Sequence, residues 1–334
     1  MLDTGSSDGV RAVAFRLDEI HLLGGGNDGI RRWRLEDGQE VGKQTGMRLN
    51  AISVSRNHKW VVCGTAEGAS VWDMEIQTKL VDVEGRDTVM AVDISADSTT
   101  FATATLSGAS VWHITSGERL VGPVGDGPYV AAVRFSPSGE RVAASSYDGS
   151  ILVFDSRNGD KLSIINTVTS RFWPQTPLAW SSNGRQIFVA SNDSTIKLFD
   201  VSTGSQLAES PTLKVNSYDY VNSIALAANG KFIATFANRT ISFLETSTLT
   251  RIVPVIEDST KIFSIALSAD SGYVATGLSD GKVTIRNLGG ILPDSYGPFH
   301  VSICPFTMLA CQASLVPSPA LTHYVRHLIP SKDN

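Results

Sequence analysis

Residues 135–155 read FSPSGERVAASSYDGSILVFD, and their reading decides the fold. Arg134 and Phe135 end a strand-like run, and Ser136-Pro137-Ser138-Gly139 is a turn. Arg141 to Ser146 predicts a second strand; Tyr147-Asp148-Gly149 reverses the chain, and Ser150 to Phe154 returns before Asp155. Asp-Gly between alternating apolar runs is a strong hairpin signal, because a tight turn that matches strand twist needs positive φ. The stretch predicts consecutive antiparallel strands joined by tight turns.

The same unit recurs along the chain. Aligning on the third strand gives seven anchors, Trp33, Trp72, Trp112, Phe154, Phe199, Leu244 and Arg286, separated by 39, 40, 42, 45, 45 and 42 residues. A turn precedes each anchor strand, from Asn27-Asp28-Gly29 to Ser279-Asp280-Gly281, and a small-residue strand such as Phe101-Ala102-Thr103-Ala104-Thr105 precedes each turn. Before these lies a further run: Val10 to Phe15, Leu49 to Val54, Val89 to Ile94, Val130 to Phe135, Leu178 to Trp180, Val221 to Leu226 and Ile262 to Leu267. A period of about 40–45 residues holding several short strands is the signature of a propeller of four-stranded blades. One blade cannot bury both its faces, so stacked neighbours supply the core.

At the anchors the sequence resembles the tryptophan–aspartate (WD) repeat family, of which it is a divergent member. The resemblance rests on Val71-Trp72-Asp73, Val111-Trp112-His113, Val153-Phe154-Asp155, Leu198-Phe199-Asp200 and the FSPSG at 135–139, and covers about residues 9–290. It implies an all-β fold, a single seven-bladed propeller of four-stranded antiparallel blades. The Gly-His pair that the family carries before the first strand of each repeat is missing from all seven, and the last two anchors are not Trp. The family's His–Ser/Thr–Asp–Trp hydrogen-bond network is therefore expected to be incomplete in every blade. The repeats also resemble propellers found behind nucleotide-binding modules in large fungal signalling proteins.

The propeller is assigned to residues 1–290 and a non-repeat tail to 291–334. Residues 295–325 carry no Asp, Glu, Lys or Arg, and prolines 298, 305, 317 and 319 argue against a long helix there. Three readings of the tail stay open: residues 300–309 supply the outer strand that closes the last blade, the tail touches a membrane, or it is a truncated terminus.

Composition narrows the function. A net charge of −5 and a pI near 5.7 argue against general nucleic-acid binding. No run of eighteen or more apolar residues predicts a membrane span, and Met1 to Asp8 does not read as a secretory signal. Cys63, Cys304 and Cys311 show neither metal spacing nor a disulfide framework. A cytoplasmic or nuclear location is expected. His323 and His327 would share a helical face but lack further zinc ligands. Gly24-Gly25-Gly26 is followed by a strand where a phosphate loop needs a helix. The turn aspartates 28, 148, 193 and 280 recur for turn chemistry. No catalytic residue, metal or cofactor is expected.

What remains is surface. In WD propellers the loops leading into the first strand and the turns between second and third strands share one face, where partners bind. Carried onto this chain, the first ring is Gly9, Arg48, Thr88, Tyr129, Pro174, Tyr220 and Lys261, and Phe263 follows one residue inside it. Tyr129, Tyr147, Trp173, Tyr218, Tyr220 and Phe263 crowd the sector of blades four to seven, and Tyr and Trp are typical interface anchors. These aromatics, with Arg48 and Lys261, form the expected partner-binding surface; the competing reading is that they cap blade cores or line the channel mouth. The sequence thus points to a non-enzymatic scaffold or adaptor for protein or peptide partners, its oligomeric state open. Alternatives are a propeller hydrolase or lyase with a central-channel site, which lacks converging carboxylates, and the sensor propeller of a signalling NTPase.

Overall fold

The computed structural model describes residues 1–4, 9–16, 20–44, 46–75, 77–84, 87–125, 129–167, 177–191, 193–213 and 221–297. Seven four-stranded antiparallel sheets follow one another along the chain, six of them built entirely from sequence neighbours. Blade one comprises Ala12–Phe15, His21–Gly26, Gly29–Arg34 and Glu40–Gln44; blade two, Leu49–Val54, Trp60–Thr65, Gly68–Asp73 and Thr78–Glu84. Blade three is Val89–Ile94, Thr100–Thr105, Gly108–His113 and Arg119–Val124; blade four, Val130–Phe135, Arg141–Ser146, Ser150–Asp155 and Lys161–Asn166. Blade five is Leu178–Trp180, Gln186–Ala190, Ile196–Asp200 and Gln206–Glu209; blade six, Val221–Leu226, Phe232–Ala237, Thr240–Glu245 and Ile256–Glu257. Blade seven is Ile262–Leu267, Tyr273–Leu278 and Lys282–Asn287, with Leu2–Asp3 as its outer strand. The inner strands touch one another in a closed ring, the first of blade one meeting that of blade seven. All seven anchors lie on third strands, as the spacing predicts.

Packing lies between blades. Ala102, Ala104 and Val111 of blade three pack against Val133, Phe135, Val142 and Phe154 of blade four, and each neighbouring pair around the ring repeats the arrangement. The small second-strand residues allow this close approach, and large anchors such as Trp33 and Phe154 fill the wider outer zone. A shared turn joins first and second strands. Ser55, Ser95, Ser136, Ser181 and Ser268 each accept, on Oγ, the backbone N–H five residues on, at 2.8–3.1 Å.

The ring closes through its beginning. Leu2 and Asp3 pair with Val283 and Lys282, and Thr4 donates from both its N–H (3.1 Å) and Oγ1 (2.7 Å) to the Gly281 carbonyl. The outer position of blade seven is thus occupied from the other end of the chain. Residues 300–309, an alternative source of that strand by sequence, lie outside the described residues. At the seam the Val10 N–H donates to Leu278 O at 2.8 Å, and Gly277 has no room for a side chain: a Cβ there would stand 2.5 Å from Val10 O. Residues 291–297 pack on blade six, where Leu292 is buried, Lys231 Nζ donates to Ser295 O at 2.7 Å and Asn229 Nδ2 donates to Tyr296 O.

Candidate functional site

Loops leading into inner strands meet the turns between second and third strands on one face, here the top. Tyr129 N–H donates to Leu106 O (3.3 Å), Tyr147 N–H to Tyr129 O (2.9 Å), Ser279 N–H to Lys261 O (2.8 Å) and Ile262 N–H to Asn238 O (2.7 Å). These backbone links tie the top of blade three to blade four and that of blade six to blade seven.

The expected surface residues fall into separate groups. Tyr129 and Tyr147 form an edge-to-face pair with ring centroids 5.9 Å apart, a favoured aromatic geometry. Tyr129 is 45% exposed, as is Leu106 (44%) beside it, and Tyr147 is half-buried. In blade seven Lys261 Nζ lies 5.8 Å from the centroid of Phe263, whose exposed ring rests against Gly9. Gly9 (φ +58°) is needed there, because a Cβ would meet the ring at 2.4 Å. Arg48 is exposed at the head of blade two. Trp173, Tyr218 and Tyr220 lie outside the described residues, so the described aromatics are the Tyr129–Tyr147 pair in blade four and Phe263 in blade seven.

Sequence reasoning missed two polar groups. Asp93, on the inner strand of blade three, accepts the Phe135 N–H of the next blade at 2.8 Å. Desolvation raises the pKa of its carboxyl above the ordinary range, against the pull of nearby Arg134. Arg134 Nη1 donates to Val133 O at 3.0 Å, and Trp180 Nε1 donates to Arg134 O at 3.0 Å, so this part of the inner ring is cross-tied. Asp258 is the second. It follows the outer strand of blade six and reaches into blade seven, where Arg286 holds it two-pronged (Nη2–Oδ1 2.6 Å, Nη1–Oδ2 3.1 Å) and Thr276 Oγ1 donates at 2.8 Å. Thr284 Oγ1 bonds to both Asp258 and Thr276. Arg286 occupies the Trp anchor position, so this ionic cluster replaces the absent Trp-centred network. Elsewhere Trp72 Nε1 donates to Ser70 Oγ and Trp112 Nε1 to Thr103 Oγ1, both at 2.9 Å.

Burial pushes the Cys63 thiol up to about 12, which leaves it a poor nucleophile. Among the described residues no three His, Cys, Asp or Glu side chains gather to hold a metal, and no helix is long and apolar enough to cross a membrane.

Known proteins align with this architecture. The family model for the nucleolar protein 10-like N-terminal domain matches residues 10–240, and the model for the WD domain, G-beta repeat, matches residues 251–287. WD repeat-containing protein 1 of Mus musculus is 29% identical over 83 residues, which is 25% of this chain and 14% of that protein. Its Gallus gallus counterpart is 31% identical over 77 residues, 23% of this chain and 13% of that protein. These matches span only about a seventh of the relatives' length. Seven stacked blades, anchors on every third strand and a family model covering residues 10–240 together decide the assignment: the chain belongs to the nucleolar protein 10-like family of N-terminal β-propeller domains, built of WD repeats.

Proposed function

We propose that the chain is a non-enzymatic scaffold whose top face carries protein or peptide partners within a larger assembly. The observation behind this reading is that exposed apolar and cationic side chains (Leu106, Tyr129, Phe263, Arg48 and Lys261) stand on turns, loop ends and strand starts of that single face, where backbone hydrogen bonds hold Leu106, Tyr129 and Lys261. Rigid aromatic anchors lose little entropy on binding, which favours recognition. Trp173, Tyr218 and Tyr220 belong to the same proposed surface. The name of the matching family supports a nuclear, specifically nucleolar, site within the cytoplasmic-or-nuclear expectation.

The test compares the parent with a top-face variant, Arg48→Glu/Lys261→Glu/Phe263→Asp, as tagged full chains. Circular dichroism checks that both fold; affinity purification and sizing chromatography then read partner content. Loss of the parent's stoichiometric partners in the variant supports the scaffold. An unchanged partner set with a folded variant sinks the top-face reading, and imaging of the tagged chain decides the nuclear one.

A further inference from the structure

The top of blades three and four holds a side chain in a costly place. Tyr129 has φ +63°, a left-handed backbone that disfavours any residue with a Cβ, and its ring is 45% exposed, so burial does not explain it. The strain is held by the bonds of its own N–H to Leu106 O and of its carbonyl to Tyr147 N. Strain kept at a side chain that packs only on Tyr147 and stays nearly half exposed points to use.

Among the described residues, charge around this cluster has one sign. Asp148 follows Tyr147 in the turn, and its Oδ1 accepts both the Ser150 N–H (2.9 Å) and Oγ (2.7 Å). Asp87 stands beside Leu106, its Oδ2 accepting from Ser107 Oγ, and Glu67 is exposed on the turn of blade two. Among the described residues of these turns and of the loops leading into blades three and four there is no Lys or Arg. The residues outside that set add one charge of each sign, Arg86 and Asp126.

We propose that this cluster seats a basic peptide segment of a protein partner: an Arg or Lys side chain lies on the Tyr129–Tyr147 pair, Asp87 and Asp148 supply the counter-charge, and an aliphatic neighbour covers Leu106. Cations are drawn to the faces of tyrosine rings, and carboxylates bind guanidinium groups through paired, charge-assisted hydrogen bonds. An acidic rim repels nucleic-acid phosphates, which sets a peptide above RNA. The inference rests on the scaffold reading and names the chemistry of one partner.

The test uses the full chain and a fluorescein-labelled acetyl-Gly-Arg-Leu-Arg-Leu-Gly peptide, its Glu-for-Arg counterpart and a short single-stranded RNA. Anisotropy is read at about 50 mM and about 200 mM sodium chloride, a range across which surface charge is progressively screened. Only the Arg peptide is expected to bind, more weakly at the higher salt. Tyr129→Gly relieves the backbone, so its melting temperature holds or rises while its affinity falls at least about tenfold. Tyr129→Phe keeps the ring face and retains binding; Asp148→Asn keeps the turn but weakens binding and flattens the salt dependence. Leu162→Ser on the exposed outer strand of blade four changes nothing. Preference for the Glu peptide or the RNA, full binding by Tyr129→Gly, or no binding of the Arg peptide at either salt overturns the proposal. Partner capture lost only in the Arg48/Lys261/Phe263 variant would leave the scaffold standing without it.

Discussion

At the scale of single residues, the turn between first and second strands shows how little chemistry a blade needs. A serine Oγ bridges the turn, and the residue three places after that serine takes positive φ: Gly139 and Gly184, but also His58, Ser98 and Ser271, as Gly230 does in the serine-free turn of blade six. Removing the bridging hydroxyl, as in Ser136→Ala or Ser268→Ala, is expected to cost about 1 kcal/mol each by urea unfolding. Blade six already has Ala227 at that position, so Ala227→Ser should recover part of that amount. His58→Gly exchanges a left-handed penalty for glycine's entropy and should gain about 0.5 kcal/mol. Ser271→Gly should gain nothing, because Ser271 Oγ also accepts the Ala228 N–H from blade six at 2.8 Å. Equal shifts for the two would contradict that explanation. The turn at 136–139 was legible from its Pro and Gly. The other turns signal themselves more quietly, through Ser followed two positions later by Asn or Asp at 55, 95, 181 and 268.

Blade seven is where the element scale matters. Periodicity placed Arg286 at a Trp position and implied an unfinished network, and the structure completes it with different chemistry. Asp258 was illegible because it sits outside the strand pattern, on the segment arriving from blade six, and charge complementarity across 28 residues has no period. Its carboxylate is buried and Arg286 is largely so, and stripping one partner strands the other's charge. Asp258→Asn or Arg286→Met should therefore each cost about 3–5 kcal/mol, while Asp258→Leu/Arg286→Met together should cost far less than their sum. A strictly additive double-mutant cycle would show that the four side chains do not act as a unit. The two-residue outer strand of the same blade was illegible for a related reason: Leu2-Asp3 is too short to carry an alternation.

For the whole molecule, seven repeats made the propeller readable from end to end, whereas the binding face was readable only as positions. Loop residues carry no periodic constraint on exposure or backbone angle, so neither the strain at Tyr129 nor the split between its pair and Phe263 could be read from spacing. Charge in the folded ring sets a pH response. Hydrogen bonds from Ser150 lower the Asp148 pKa, and the Thr195 and Lys197 bonds at Asp193 outweigh desolvation with the same result. Lowered carboxylates add stability that is complete above their unfolded values, about 4, and is lost as pH falls through the folded ones. Asp93 acts oppositely: its raised pKa means stability declines as pH climbs from its unfolded value through its folded one. Asp93→Asn, which can still accept the Phe135 N–H, should be more stable than the parent at neutral pH, and the advantage should vanish below about pH 4. Urea midpoints at both pH values read the difference; an advantage that persists in acid would assign it to something other than ionisation.

The seam at Thr4 and Gly281, 277 residues apart in sequence, also sets an order of events. On a ribosome adding roughly 5–20 residues per second, the strand that leaves first waits about a quarter of a minute to a minute for its mate. Throughout that interval the side of blade one formed by Val13, Phe15, Leu22 and Trp33 has no blade seven to lie against. The nascent chain must carry an uncovered apolar flank until its last blade emerges, which makes the closing step the point at which chaperones and misassembly compete for it.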